Sequence, residues 1–173
     1  MSRVTGPASR RPVVIVMGVS GAGKTTVGSR LAERLGCDFH DADDLHPEAN
    51  LRKMAAGVPL CDADRAPWLD RVHQLIRDQE RGLEPAVIAC SALKAGYRRH
   101  LLSGTTRARI VYLRVAPTVL ERRLRARRDH FFDPRLLASQ LETLEEPANA
   151  ITVDGSADID LVVNEIVTRL ALS

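Results

Sequence analysis

Residues Gly18-Val19-Ser20-Gly21-Ala22-Gly23-Lys24-Thr25 match the spacing G-x-x-x-x-G-K-S/T without a mismatch. Glycines at these positions let backbone N–H groups close around phosphate oxygens, and the dipole of a following helix favours the anion. In such a loop the lysine reaches the β- and γ-phosphates and the hydroxyl after it binds Mg²⁺. The pattern therefore assigns Gly18, Val19, Ser20, Gly21, Ala22, Gly23, Lys24, Thr25 and Thr26 to binding the phosphates of a nucleoside triphosphate. Lys24 is also a catalytic candidate, and Thr25 a ligand of Mg²⁺. A glycine turn that holds no ligand is the competing reading. The flanks weigh against it: the apolar run Val13-Val14-Ile15-Val16-Met17 leads in, and Thr26 to Leu35 follows with helical spacing.

A second cluster is acidic. Asp41-Ala42-Asp43-Asp44-Leu45-His46 ends the next apolar run. Three carboxylates beside a phosphate site are costly unless a cation or a proton-accepting role uses them. Asp41 and Asp43 are two apart, so an extended backbone points them differently. That suits one carboxylate on the water shell of Mg²⁺ and one near an attacking hydroxyl. The alternative is a polar turn that caps the next helix.

Cations follow at two places. Arg52 and Lys53 lie on the helix after His46, and Lys94, Tyr97 and Arg98 open the helix after strand three. If both helices face the cleft, these side chains can hold an acidic substrate; if not, they are a solvated face. Of 25 basic residues only Lys24, Lys53 and Lys94 are lysines. A chain that otherwise uses arginine keeps lysine where a compact point charge is needed. Downstream, Arg122-Arg123-Leu124-Arg125-Ala126-Arg127-Arg128 is strongly basic. It reads as a solvated helix end, a nucleic-acid contact, or a mobile lid whose arginines close over a transferring phosphate. Its place between strands four and five favours the lid.

The elements that position these residues alternate from end to end. Candidate strands are Val13–Met17, Cys37–Asp41, Ala86–Cys90, Arg109–Leu113 and Ala150–Val153. Candidate helices are Lys24–Leu35, Pro47–Ala56, Pro67–Arg81, Lys94–Leu102, Pro117–Arg125, Pro134–Leu144 and Asp158–Leu170. Pro47, Pro67, Pro117 and Pro134 read as first-turn prolines. The alternation predicts an α/β fold, a parallel sheet with helices on both faces. Ligands then bind at the carboxyl ends of the strands, where the glycine loop, Asp41 to His46, Ser91 to Lys94, and Asp154 to Asp158 emerge.

Length and composition bound the rest. The chain has 173 residues, 45% of them hydrophobic, enough for one domain with a core. Residues 1–12 read as a flexible tail and residues 13–173 as one domain. No apolar run approaches the ~20 residues of a membrane span, so no membrane association is expected. Cys37, Cys61 and Cys90 lack metal-ligand spacing, and an odd number cannot pair fully, which suits reduced cytoplasmic thiols. A net charge of +3 and 3% aromatic residues leave little for nucleic acid to bind or stack on.

Together these segments resemble the gluconate kinases, small P-loop kinases related in fold to shikimate and nucleoside monophosphate kinases. The distinctive blocks beyond the glycine loop are Asp43-Asp44-Leu45-His46-Pro47-Glu48-Ala49-Asn50, Lys53-Met54-Ala55-Ala56-Gly57-Val58-Pro59-Leu60, Asp62-Ala63-Asp64-Arg65-Ala66-Pro67-Trp68-Leu69, Cys90-Ser91-Ala92-Leu93-Lys94, Tyr97-Arg98 and His130-Phe131-Phe132. The resemblance implies a three-layer α/β/α P-loop kinase with a five-stranded parallel sheet in the order 2-3-1-4-5. It also implies a helical lid at about residues 122–140, and often a homodimer. The implied reaction is ATP-dependent phosphorylation of D-gluconate at its 6-hydroxyl, giving 6-phosphogluconate and ADP. By likeness to the wider kinase group, Asp41 supports Mg²⁺ through water, and Asp43 orients or deprotonates the hydroxyl. Arg123 lies against adenine, Arg127 reaches the phosphates, and the loop after Asp154 lines the adenine pocket. Asp43, His46, Arg52, Lys53, Lys94 and Arg98 are then the candidate gluconate contacts. Strand three ends in Ser91 where many NTPases place a metal-binding aspartate, which moves that duty to Asp41. The rival readings are a kinase for another small acid or a nucleotide, and a nucleotide-gated nucleic-acid-binding protein.

Overall fold

In the computed structural model, residues 12–127 and 134–171 are described. Most of the expected tail, and residues 128–133 with the His130-Phe131-Phe132 block, lie outside the described residues. The chain runs β1 (Val13–Met17), α1 (Lys24–Leu35), β2 (Asp38–Asp41), a 3₁₀ turn (Ala42–Leu45), α2 (Glu48–Ala55) and α3 (Asp62–Arg81). It continues through β3 (Ala86–Ala89), α4 (Ala95–Leu101), β4 (Ala108–Arg114), α5 (Pro117–Ala126), α6 (Pro134–Thr143), β5 (Ile151–Asp154) and α7 (Ile159–Ala171).

All pairings are parallel, and the sheet order is β2-β3-β1-β4-β5, as the resemblance implied. The central strand β1 explains the three layers. Val14 and Val16 face a core shared with α1, α5, α6 and α7, while Val13, Ile15 and Met17 face one shared with α3 and α4. All five are fully buried. A strand covered on both sides reads as an unbroken apolar run rather than an alternating one. Each such side chain contributes at most about 1.5–3 kcal/mol.

One helix departs from expectation. The prediction placed the start of α3 at Pro67, but the helix begins at Asp62 and Pro67 lies inside it. A capping box overrides the proline signal: the Cys61 backbone N–H donates to Asp64 Oδ2 at 3.0 Å, and the Asp64 backbone reaches back to the Cys61 thiol. Asp62 and Asp64 also favour the positive end of the helix. Pro67 costs one backbone bond, to Ala63, early in a 20-residue helix. Pro47 likewise stands just before α2 rather than in its first turn. Among the described residues no helix is long and apolar enough to cross a membrane.

The register aligns the strand ends that matter. Asp41 on β2 sits beside Ala89 on β3, Val16 on β1 beside the same Ala89, and Arg114 on β4 beside Asp154 on β5. The loops leaving β1, β2, β3 and β5 therefore share one edge of the molecule.

Candidate active site

The glycine loop turns immediately after the buried end of β1. Ala22 N–H donates to the Val19 carbonyl at 3.1 Å, and Gly21 and Gly23 take φ of 83° and 95°. These are left-handed conformations that an L side chain resists. Gly23 is the N-cap of α1, and no side chain caps that helix end. Its first backbone donors are thus available to an anion. Lys24 folds back and donates to the Val19 carbonyl at 3.1 Å. Burial pushes its ammonium below the usual lysine range, against the pull of Asp43, Cys90 and Asp41 and with the charge of Arg127 adding to the depression. A bound polyphosphate would reverse that penalty.

The loop meets the acidic strand tip through one contact. Thr25 Oγ1 donates to Asp41 Oδ2 at 3.1 Å, while Asp41 Oδ1 accepts the Asp43 backbone N–H at 3.0 Å. Asp41 therefore joins the hydroxyl expected to ligate Mg²⁺ to the turn that carries Asp43. A hydroxyl and a carboxylate side by side fit a hard cation that keeps most of its waters and takes its other oxygens from phosphate. Asp43 is exposed to water at the tip of β2, yet the protein around its carboxyl weakens its hydration. Loss of hydration, then the like charge of Asp41, push its pKa up, and Lys24 and His46 pull it down. A carboxylate raised in this way at a cleft is suited to accept a proton.

The turn itself is fixed from below. Trp68, 2% exposed, donates from Nε1 to the Ala42 carbonyl at 2.7 Å, and its ring stacks on His46 at 4.5 Å between centroids. Asn50, 3% exposed, reaches His46 Nδ1 at 3.2 Å and the Asp64 carbonyl at 2.8 Å through the same amide nitrogen. Cys90 at the end of β3 is buried, which pushes its thiol up to about 12. It stays protonated and inert.

The expected substrate cations divide into two groups. Lys53 Nζ lies 2.6 Å from Asp64 Oδ1, and Lys94 Nζ lies 2.9 Å from Asp62 Oδ1, where the Tyr97 hydroxyl also donates. The two lysines thus converge on the N-terminus of α3, each held by one carboxylate and each still partly exposed. Arg52 and Arg98 are placed differently. Arg52 pairs with Glu48 one turn back on the exposed face of α2. Arg98 is 7% exposed and donates from Nη1 to the Ala92 and Leu93 carbonyls, both at 2.9 Å. It braces the β3–α4 turn from inside, where Ala92 holds a φ of 44°.

On the other flank, Arg123 Nη1 reaches the Gly21 carbonyl at 3.2 Å and the Ala22 carbonyl at 3.4 Å, and its Nη2 reaches the Gly155 carbonyl at 2.9 Å. It ties the phosphate loop to the loop after β5. A Cβ on Gly155 would stand 2.7 Å from Val115 Cγ2, so that loop packs too closely for any other residue. Arg127 is the last described residue before position 128.

Sequence reasoning gave no role to five residues of this site. Asn50, Asp62, Asp64 and Trp68 stand in the quoted motif blocks, but their partners are known only after folding. Gln140 on α6 accepts the Ser20 backbone N–H at 2.7 Å and donates to the Ser20 hydroxyl at 3.0 Å. Nothing in a lone glutamine marks a contact 120 residues away.

The model of the shikimate kinase family matches residues 20–171. The gluconokinase of Gluconobacter oxydans (strain 621H) is 45% identical over 157 residues, covering 89% of this chain and 88% of that protein. The thermoresistant gluconokinase of Escherichia coli (strain K12) is 41% identical, covering 89% and 84%. Among solved structures, a gluconokinase from Sinorhizobium meliloti 1021 superposes with a TM-score of 0.85 at 40% identity, covering 94% of this chain and 93% of that one.

Proposed function

This chain belongs to the gluconokinase family of shikimate kinase-like enzymes, and on that premise we propose that it transfers the γ-phosphoryl group of ATP to the 6-hydroxyl of D-gluconate. The observation that carries the reading is the contact of Thr25 with Asp41, which sets the phosphate loop beside the carboxylate tip of β2.

The hydroxyl oxygen of gluconate attacks the γ-phosphorus in line, and the bond from that phosphorus to the β,γ-bridging oxygen breaks. The hydroxyl proton passes to the Asp43 carboxylate, and ADP leaves. The transition state is loose, so positioning and charge stabilisation supply most of the rate. Lys24 neutralises charge on the transferring group. The Thr25 hydroxyl and, through water, Asp41 would hold Mg²⁺, which would supply further charge neutralisation. Backbone donors of Gly18 to Thr26 hold the nucleotide phosphates. Arg123 and the loop after Asp154 form one side of the adenine pocket.

Lys53 and Lys94 bind the carboxylate end of gluconate and His46 its hydroxyls. The carboxylates of Asp62 and Asp64 keep both ammonium groups charged and aimed while the site waits. Arg52 and Arg98 were expected to contact gluconate as well; their present partners favour a surface ion pair for Arg52 and a bracing role for Arg98. The basic segment at about residues 122–140 acts as a lid, bringing Arg127 to the phosphates. A cytoplasmic homodimer completes the proposal, and sedimentation of the purified protein tests the dimer.

The test is ATP turnover with gluconate, shikimate and AMP supplied in parallel. Gluconate alone should support it; turnover with shikimate or AMP and none with gluconate would replace the acceptor in this reading.

A further inference from the structure

The hydrogen bonds beneath the acidic turn decide which protonation state His46 takes. The Asn50 amide nitrogen carries two protons. One goes to the Asp64 carbonyl at 2.8 Å, an atom that can only accept. This fixes the orientation of the amide, because its oxygen there would face another oxygen. The second proton points at His46 Nδ1, 3.2 Å away. An imidazole nitrogen facing an N–H must offer its lone pair, so the proton of a neutral His46 is on Nε2. The stack on Trp68 at 4.5 Å and 10° holds the ring in plane. Asn50 is buried, which shields its side of the contact from water. Nε2 has no hydrogen-bond partner among the described residues and is not sealed in the core.

We propose that Asn50 locks His46 as the neutral tautomer protonated at Nε2, so that His46 donates a hydrogen bond to the acceptor sugar acid and Asp43, not His46, takes the acceptor's proton. This rests on the reading that the β2 tip receives the acceptor. Asn50 is a positioning residue: its side-chain hydrogen bonds go to His46 and the Asp64 carbonyl. The surrounding charges agree with a neutral ring. Burial pushes the His46 imidazolium below its ordinary range, Arg65 adds to the depression, and Asp43 opposes it. The division of labour has a chemical reason. A histidine free to ionise three residues from Asp43 would compete with the acceptor for the Asp43 carboxylate. Held neutral, it can only donate at Nε2.

The experiment reads the tautomer directly, by two-bond proton–nitrogen correlation spectra of the imidazoles in the ligand-free protein at neutral pH. The His46 signals are identified by their loss in His46→Gln. The expected pattern is an unprotonated Nδ1 and a protonated Nε2. In Asn50→Asp a carboxylate oxygen replaces the donor, so Nδ1 should gain a proton, and kcat/KM for gluconate should fall roughly tenfold or more with KM for ATP unchanged. His46→Gln, which keeps a neutral N–H donor, should retain much more turnover than His46→Ala. A Nδ1-protonated or doubly protonated ring in the unaltered protein would overturn the lock. Equal inactivity of the glutamine and alanine variants would overturn the donor role. Should Asn50→Asp fail to fold, the spectrum of the unaltered protein still decides. That spectrum involves no substrate, so a wrong acceptor and a wrong tautomer give different results.

Discussion

Thr25 Oγ1 and Asp41 Oδ2 stand 3.1 Å apart, joining the first turn of α1, which follows β1, to the end of β2, with β3 between the two strands. The pair is the meeting point of the nucleotide half and the acceptor half of the site. Because Asp41 also accepts the Asp43 N–H, changing it alters both the metal's surroundings and the aim of the proposed base.

Asp41→Asn should therefore raise the Mg²⁺ concentration needed for half-maximal turnover by about tenfold or more, the usual cost of losing an outer-shell partner. Titrating turnover against Mg²⁺ at fixed ATP checks this. An unchanged midpoint would remove Asp41 from the metal's surroundings.

Asp43→Asn should keep ATP binding and lose turnover by a factor on the order of 10²–10⁴, the range for a positioned general base. In the unaltered protein, kcat/KM for gluconate should fall with acid at a midpoint above the ordinary 3.8. The sign of the stability effect follows from the same shift. A carboxyl whose folded pKa is raised adds stability only when protonated, and loses that contribution as pH rises through the folded value. At neutral pH the ionised Asp43 thus weakens the fold, and Asp43→Asn should raise the thermal midpoint. Calorimetry beside the rate assay would reveal either outcome, and a lowered midpoint would contradict the account.

Lys94→Ala should raise KM for gluconate about tenfold while KM for ATP stays put, the cost of about one charge-assisted contact. Its ion pair with Asp62 is half exposed, so stability should change little. Arg52→Ala, at a fully solvated pair, should change neither quantity appreciably. Initial rates with each substrate varied in turn separate these cases.

Arg98→Ala should do the reverse. It leaves the Ala92 and Leu93 carbonyls without their buried charged donor, a loss of roughly 1.5–3 kcal/mol. Denaturant unfolding should show that loss. If stability is intact and KM for gluconate rises instead, Arg98 binds substrate.

The sheet was legible because its signals are local. An unbroken apolar run at β1, the glycine spacing after it and the helical periodicity after that need no long-range information. Pro67 misled because a capping box four residues long, Cys61 to Asp64, outweighed it, and a thiol is an unusual member of such a box. At the site, residue types announced chemistry but not partners. Lys53 and Lys94 stood out by scarcity, yet Asp64 and Asp62 hold them only because α3 begins between α2 and α4. Asn50 reads as an ordinary helix residue until His46 and Asp64 close around it. Arg98 and Lys94 look alike in sequence; a single turn of α4 sends one into the core and leaves the other at the cleft.

The most direct measurement is a phosphorus NMR spectrum of protein, ATP, Mg²⁺ and gluconate incubated together. The account predicts ADP and a phosphomonoester whose signal is split by the two protons of a primary carbon. A spectrum showing only inorganic phosphate beside ADP, or ATP left intact, would contradict it.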